Sequence, residues 1–277
     1  MQGMLYLCPT PIGNLGDISQ RTLETLQAVD LIAAEDTRST GLLLKQYHIQ
    51  TPLISYHQHN ERERSEELIH KIKEGRQIAL VTDAGMPAIS DPGQILVRRC
   101  HEAGVLVTAL PGPCAFVTAL ALSGLDSRRF TFEGFLPADK KECQQVLADL
   151  RESTKTTIFY EAPHRLKQTL KLLSEAAGER PAAAVRELTK KFEEVRLLPL
   201  RELAAYYEEH EPRGEFVILI EGKTKEQRLA EQQKRYEALS IEEHMALYAE
   251  LPEKEAMKAV AKDRGITKRD VYAQLKK

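Results

Sequence analysis

Short apolar runs of strand length alternate with segments of helical period through roughly the first 220 residues. Met4–Cys8, Leu31–Ala34, Ile78–Thr82 and Val105–Leu110 are such runs, each closed by polar, Gly or Pro residues. Asn60–Glu74 and Gln94–Ala103 carry the helical period between them. Strands buried on both faces lose the alternation of polar and apolar positions and read as near-continuous apolar runs. Interleaved with helices, they predict βαβ units around a mostly parallel sheet, an α/β fold. A second set begins near Phe130, with strands expected at Thr156–Tyr160, Ala182–Val185, Glu194–Leu198 and Phe216–Ile220 and helices at His164–Ala176 and Leu200–His210.

The pattern predicts three regions: an N-terminal α/β domain over 1–129, a second over 130–222, and a charged helical region over 223–277. The bridge from Phe135 to Lys141 carries a Pro and a charge run and is a further candidate boundary. In the tail, Ala256, Val260 and Ala261 supply an apolar helix face, Gly265 turns the chain, and Thr267 with Asp270 forms a capping-box-like start to a last helix. This resembles a helix-turn-helix. Residues 262–277 carry six basic side chains (Lys262, Arg264, Lys268, Arg269, Lys276, Lys277) against two acidic ones, Asp263 and Asp270. Two readings stand: a solvated helical pair, or a nucleic-acid contact.

Composition narrows the class. The 277 residues hold 39 basic and 41 acidic side chains, a net charge of −2 that excludes binding of nucleic acid by bulk charge but permits a local basic patch. Four cysteines at positions 8, 100, 114 and 143 have no zinc-site spacing and are expected to be reduced thiols in a cytoplasmic protein. The apolar start lacks a preceding basic residue and reads as a strand, not a signal peptide. The most apolar segment, Ala115–Leu125, is too short to span a bilayer.

The chemistry concentrates in loops that follow strands. Val81 to Gly93 (VTDAGMPAISDPG) carries two carboxylates, Asp83 and Asp91, and Gly85 and Gly93 that allow close backbone approach. In open α/β sheets ligands lie outside the carboxyl ends of strands. Thr10-Pro-Ile-Gly-Asn-Leu-Gly-Asp17 and Leu110-Pro-Gly-Pro-Cys-Ala-Phe116 share that position, and none of the three carries a dinucleotide or P-loop fingerprint. Glu35-Asp-Thr-Arg-Ser-Thr40, Ser55-Tyr-His-Gln-His-Asn-Glu61, Tyr160-Glu-Ala-Pro-His-Arg165 and Arg186-Glu-Leu-Thr-Lys-Lys191 add polar clusters at strand ends. His57 and His59 lack the Cys or placed carboxylates of a metal site, so no metal is expected.

Six of these motifs, in order over about residues 4–222, resemble the tetrapyrrole-methylase fold family, and within it the branch that methylates ribosomal RNA. The resemblance implies two α/β domains, S-adenosylmethionine folded in the cleft between them, a homodimer, and 2′-O-ribose methylation of a cytidine in the decoding region of 16S rRNA within the small subunit. Carried onto this chain, it implies cofactor contacts from Pro11, Asp83, Ala84, Gly85, Met86, Ile89, Ser90, Cys114 and Ala115. From the second domain it adds Tyr160, Leu188, Gly214 and Glu215. Cys114 departs from the Ser more usual there, and a thiol donates a weaker hydrogen bond.

Methyl transfer to a hydroxyl needs in-line alignment and gains from a base that takes the proton. The candidates are Asp36, Glu35 and Glu161, each with a salt-bridging role as the alternative. Arg38, Arg165, Arg186 and Lys190 are expected at RNA phosphates, with Tyr56 and His57 at base or sugar. The rivals are methylation of a small tetrapyrrole, which the fold also serves, and a non-catalytic RNA-binding module.

Overall fold

The computed structural model describes residues 2–276; Met1 and Lys277 lie outside it, as do the side chains at 232, 233, 235 and 237. Two five-stranded sheets share one compact unit, residues 1–151 with 155–221.

The first sheet is built from β1 (Met4–Leu7), β2 (Leu31–Ala34), β3 (Leu53–Ser55), β4 (Gln77–Val81) and β5 (Leu106–Ala109). Its order is β3-β2-β4-β1-β5 and every pairing is parallel. The apolar runs are continuous because both faces are covered. Leu5, Ala33, Ile78 and Leu80 pack beneath α3 (Glu61–Lys73) and α4 (Gln94–Glu102). Ile32, Ala34, Ala79 and Val81 face the other way, under α1 (Gln20–Ala28) and α2 (Thr37–Gln46).

The second sheet comprises β6 (Phe130–Phe135), β7 (Thr156–Glu161), β8 (Pro181–Arg186), β9 (Glu194–Pro199) and β10 (Phe216–Ile220), ordered β6-β7-β10-β8-β9. Here the parallel expectation fails. Only β6 and β7 run parallel, and the other three pairings are antiparallel. The reason lies in the connections: the loop from β8 to β9 carries no helix, so the chain reverses directly. One face packs on α7 (Pro163–Ala177) and α8 (Leu200–Glu209) through Leu166, Leu170, Leu173 and Leu203.

The other face of this sheet receives α5 (Ala115–Ser123), the helix that leaves β5 of the first sheet. Its Ala119 and Leu120 bury against Ile158, Ala183, Val185, Val217 and Leu219. The most apolar segment of the chain is thus the link that sets one sheet against the other. Between α6 (Lys140–Glu152) and the strands, Arg180 is buried and donates Nη1 to the carbonyl of Leu150 at 2.8 Å.

Residues 222–277, with 152–154, form the second compact unit. It contains α9 (Lys225–Glu237), α10 (Ile241–Ala246), α11 (Glu253–Arg264) and α12 (Lys268–Leu275). Ile241, Met257, Val260, Ala261 and Val271 make its core. Gly265 turns the chain at φ 64°, and the Thr267–Asp270 capping box opens α12 as the spacing predicts. No described helix is long and apolar enough to cross a membrane.

Candidate active site

Three loops leave the carboxyl edge of the first sheet together. The loop after β1 and the loop after β4 are tied by a two-way bridge: Thr10 N–H donates to the Gly85 carbonyl at 2.9 Å and Gly85 N–H to the Thr10 carbonyl at 3.1 Å. Gly85 sits at φ 87°, where a side chain is strained. The sequence reading expected its backbone amide to approach a ligand; the N–H is instead engaged between the two loops, while Gly85 itself lines the cavity they form. Gly93 likewise packs against Leu80 and Ala88.

These loops and the facing edge of the second sheet enclose a cavity of about 260 Å³. From the first sheet's side it is lined by Ala84, Gly85, Met86, Ile89, Ser90, Cys114 and Ala115, all expected from the sequence. From the second come Tyr160, Leu188 and Glu215, also expected. Tyr160 Oη accepts the backbone N–H of Phe116 at 3.1 Å, and burial pushes its phenol up to about 12. Burial also raises the Cys114 thiol.

Three expected cofactor contacts fall elsewhere. Pro11 and Asp83 line a neighbouring cavity with Ser39, Thr40 and Leu43. Gly214, at φ 80°, faces Glu187, whose side chain lies where a Cβ would project. The sequence reading missed Ile12, Asp91, Phe135, Val185, Phe216 and Val217 in the main cavity. Most are strand residues whose apolar character serves core and cavity alike. Asp91 had a signal, as the second carboxylate of the β4 loop. Burial, then the negative charge of Glu35, raises its carboxyl to about 6.

Two of the loops that supply the cavity lining are strained. Among the described residues, five non-glycine positions have positive φ, and four of them lie in two loops at this cavity: Ala88, Ser90, Glu187 and Thr189. Such conformations cost about 1–3 kcal/mol each and gather at functional sites.

The expected bases separate clearly. Asp36 caps α2 and accepts from Arg38 three times, at the backbone N–H (2.8 Å), Nε (3.2 Å) and Nη2 (3.0 Å). These bonds hold its carboxyl down at about 2, which makes it a poor proton acceptor near neutrality. Glu161 lines the cavity but its side chain is fully buried. Its Oε1 accepts from Ala162 N–H at 2.8 Å and its Oε2 from Thr169 Oγ1 at 2.6 Å, so it anchors the start of α7. Among the described residues, half-buried Glu35 accepts only from Thr82 Oγ1, at 2.7 Å on Oε2.

The expected RNA contacts are also redistributed. Tyr56 is wholly buried, with its hydroxyl on Ser65, and so reaches no ligand. His57 organises the turn before α3 through Asn60, its backbone N–H donating to Asn60 Oδ1 at 2.9 Å. Arg165 donates Nη2 to the Leu136 carbonyl at 2.7 Å, Arg186 pairs with Glu194 at 3.0 Å, and Lys190 lies 3.0 Å from both Glu187 and Glu215. With Glu161 3.7 Å from Arg165, the charges of these three are met within the fold. Arg38 is paired as well, with Asp36 at 3.0 Å, but alone of the four it is well exposed, its side chain 90% accessible.

A cavity with apolar walls and a few convergent polar groups is the usual form of a cofactor site. Ile12, Ile89, Leu188 and Val217 suit a flat aromatic base, and Asp91 suits a cationic end group, the Glu215 charge being met by Lys190. That donor set fits a sulfonium cofactor.

Comparison with known proteins agrees. Residues 4–204 match the model of the tetrapyrrole (corrin/porphyrin) methylases. The chain is 49% identical to ribosomal RNA small subunit methyltransferase I of Escherichia coli O157:H7, covering 98% of this chain and 94% of that protein. It is 46% identical to the protein of the same name from Bacillus subtilis strain 168, covering 98% and 93%. Among solved structures, diphthine synthase superposes with a TM-score of 0.64 at 16% identity, over 80% of this chain and 90% of that one, a likeness of fold.

Proposed function

Because the chain belongs to the tetrapyrrole methylase family, and within it to the ribosomal RNA small subunit methyltransferase I group, we propose that it methylates the 2′-hydroxyl of a cytidine in the decoding region of 16S rRNA. S-adenosylmethionine supplies the methyl group on a positively charged sulfur. The observation that carries the reading is the cavity at the carboxyl edge of the first sheet, with its apolar walls and the half-buried carboxylate of Asp91.

Each part of the site has a task. Ile12, Leu188 and Val217 hold the adenine against apolar surface and exclude water. Asp91, ionised above about pH 6, complements the positive charge of the donor. The loop after β4 and the start of α5 fix the donor so that the incoming hydroxyl lines up behind the methyl carbon, an alignment that can lower the barrier by several kcal/mol. Glu35 takes the hydroxyl proton in place of Asp36, because Asp36 is held by Arg38 and Glu161 by the fold. Arg38 meets a phosphate of the RNA.

The protein works as a cytoplasmic homodimer on an assembled small subunit. In support of the dimer, edge strand β5 and helix α5 expose Leu106 (46%), Val117 (50%) and Leu122 (45%). A surface helix with apolar residues on every side is one that a partner covers. Light scattering at micromolar concentration reads out twice the chain mass if this holds.

Nucleoside analysis tests the chemistry. Small subunits methylated by the protein with labelled donor are digested, and label in 2′-O-methylcytidine supports the assignment. Label on a base carbon or base nitrogen refutes it.

A further inference from the structure

The second unit carries a face with no use in methyl transfer. In α11 and α12 the basic side chains divide into two kinds. Arg264 is structural: Nε donates to His244 Nδ1 at 3.0 Å, and Nη2 to the carbonyls of Leu239 (2.7 Å) and Ser240 (3.0 Å). It ties α11 to the start of α10. Lys262, Lys268, Arg269 and Lys276 make no salt bridge among the described residues, and Lys277 lies outside them.

Two residues of α12 and its C-terminal cap share one side. Arg269, Tyr272 and Lys276 stand at i, i+3 and i+7, a spacing that stacks side chains along one helix face. Tyr272 is 47% exposed, and Lys276 Nζ lies 4.8 Å from the centre of its ring. Val271 and Leu275 face the core instead. The one acid of α12, Asp270, is engaged in the capping box with Thr267, accepting from Thr267 N–H at 3.0 Å and from its Oγ1 at 2.6 Å. These three exposed side chains are therefore cationic and aromatic, on a chain whose net charge is −2.

An exposed ring flanked by cations is the arrangement that receives an unstacked nucleobase, with phosphates on either side of it. Duplex DNA, with its bases stacked, has no place for such a ring without being deformed. RNA loops offer unstacked bases directly. The charge is complementary to a polyanion, and an RNA is the substrate on the reading above, on which this inference rests.

We propose that α12 is an RNA-docking face of the protein, on which Tyr272 stacks an unpaired base of the ribosomal RNA while Arg269 and Lys276 hold the adjoining phosphates. It serves as a second grip on the same substrate.

The test uses the full chain. Tyr272→Ala, Tyr272→Phe and the double change Arg269→Ala with Lys276→Ala are compared with the unaltered protein in transfer of methyl to small subunits, and in binding of 16S rRNA across a series of salt concentrations. All three positions are exposed, and matching melting temperatures establish that each variant is folded. Tyr272→Ala is expected to raise KM for subunits about ten-fold with kcat and cofactor affinity unchanged, the size of one lost stacking contact. Tyr272→Phe keeps the ring and behaves as the unaltered chain. The double change lowers the slope of log K against log salt by about 1.4, two phosphates on a single strand. A KM within two-fold of the original for all three variants, or a Tyr272→Phe as impaired as Tyr272→Ala, overturns the docking face. Failure of the unaltered protein to methylate any RNA instead removes the substrate reading, an outcome distinct from a defect confined to the variants.

Discussion

The hydroxyl of Tyr160, on the second sheet, accepts the backbone N–H of Phe116, in the first turn of the helix that leaves the first sheet, at 3.1 Å. That N–H is one of the donors a helix start leaves without an internal partner. Cys114, the residue before the helix, supplies no side-chain cap. Tyr160 therefore does the work of a cap from across the cavity, and it fixes the distance between the two walls.

Tyr160→Phe leaves that donor without its partner. The expected loss is about 1 kcal/mol of stability, together with a several-fold weaker affinity for S-adenosylmethionine as Cys114 and Ala115 lose their fixed position. Thermal melting and calorimetric titration measure the two effects. Cys114→Ser goes the other way, since serine is a favoured cap and restores about 0.5–1 kcal/mol.

Asp91 gives the site a pH dependence. Its carboxyl is raised to about 6, by burial first and by Glu35 second. A folded-state value above the unfolded one near 4 means that the stability linked to this group is complete below pH 4. It is lost as pH rises through 6. Cofactor affinity has the opposite sense, because the cationic donor prefers the carboxylate, so binding tightens between pH 5 and 7. Titrations in that range are expected to show this slope in the unaltered protein and a flat profile in Asp91→Asn. An equal slope in both assigns the effect to another group.

Glu35 acts on that profile from outside the cavity. Glu35→Gln removes the negative charge that helps to raise Asp91, so the midpoint of the binding profile moves to lower pH. If Glu35 also takes the hydroxyl proton, kcat falls about 10²-fold or more while cofactor binding above pH 7 is unchanged. A kcat within three-fold of the original removes Glu35 from that role.

Glu161 is expected to matter for folding. Its two hydrogen bonds, to Ala162 and Thr169, join the end of β7 to α7 in a buried setting. Glu161→Ala strands both donors and costs about 2–4 kcal/mol, read as a fall in melting temperature. A variant that melts like the original but has lost turnover would return Glu161 to the chemistry.

Much of this architecture was legible in the residues. Leu31–Ala34 and Ile78–Val81 read as continuous apolar strands because two layers of helix cover their sheet, and Thr267 and Asp270 stand at the spacing a capping box requires. The loops after β1, β4 and β5 were visible from their Gly and Pro content. Strand direction in the second half was not, since Ala182–Val185 and Phe216–Ile220 look alike whether parallel or antiparallel. Long-range partners were equally hidden. Nothing near Arg165 announces the carbonyl of Leu136, and nothing near Tyr56 announces that it is sealed in the core. Polar residues after a strand predict function only while they stay open to solvent: the fold draws in Arg186 and Lys190 with counter-charges from Glu194, Glu187 and Glu215, whereas Arg38, though paired with Asp36, stays exposed.

The central claim is that the cavity transfers methyl from S-adenosylmethionine to ribosomal RNA. Its most direct measurement offers labelled donor to small subunits that lack their own methylation and, in parallel, to a reduced tetrapyrrole. The account predicts about one methyl per subunit, abolished by changes that fill the cavity such as Ala84→Trp, and no label on the tetrapyrrole. Label on the tetrapyrrole with none on the RNA would contradict it.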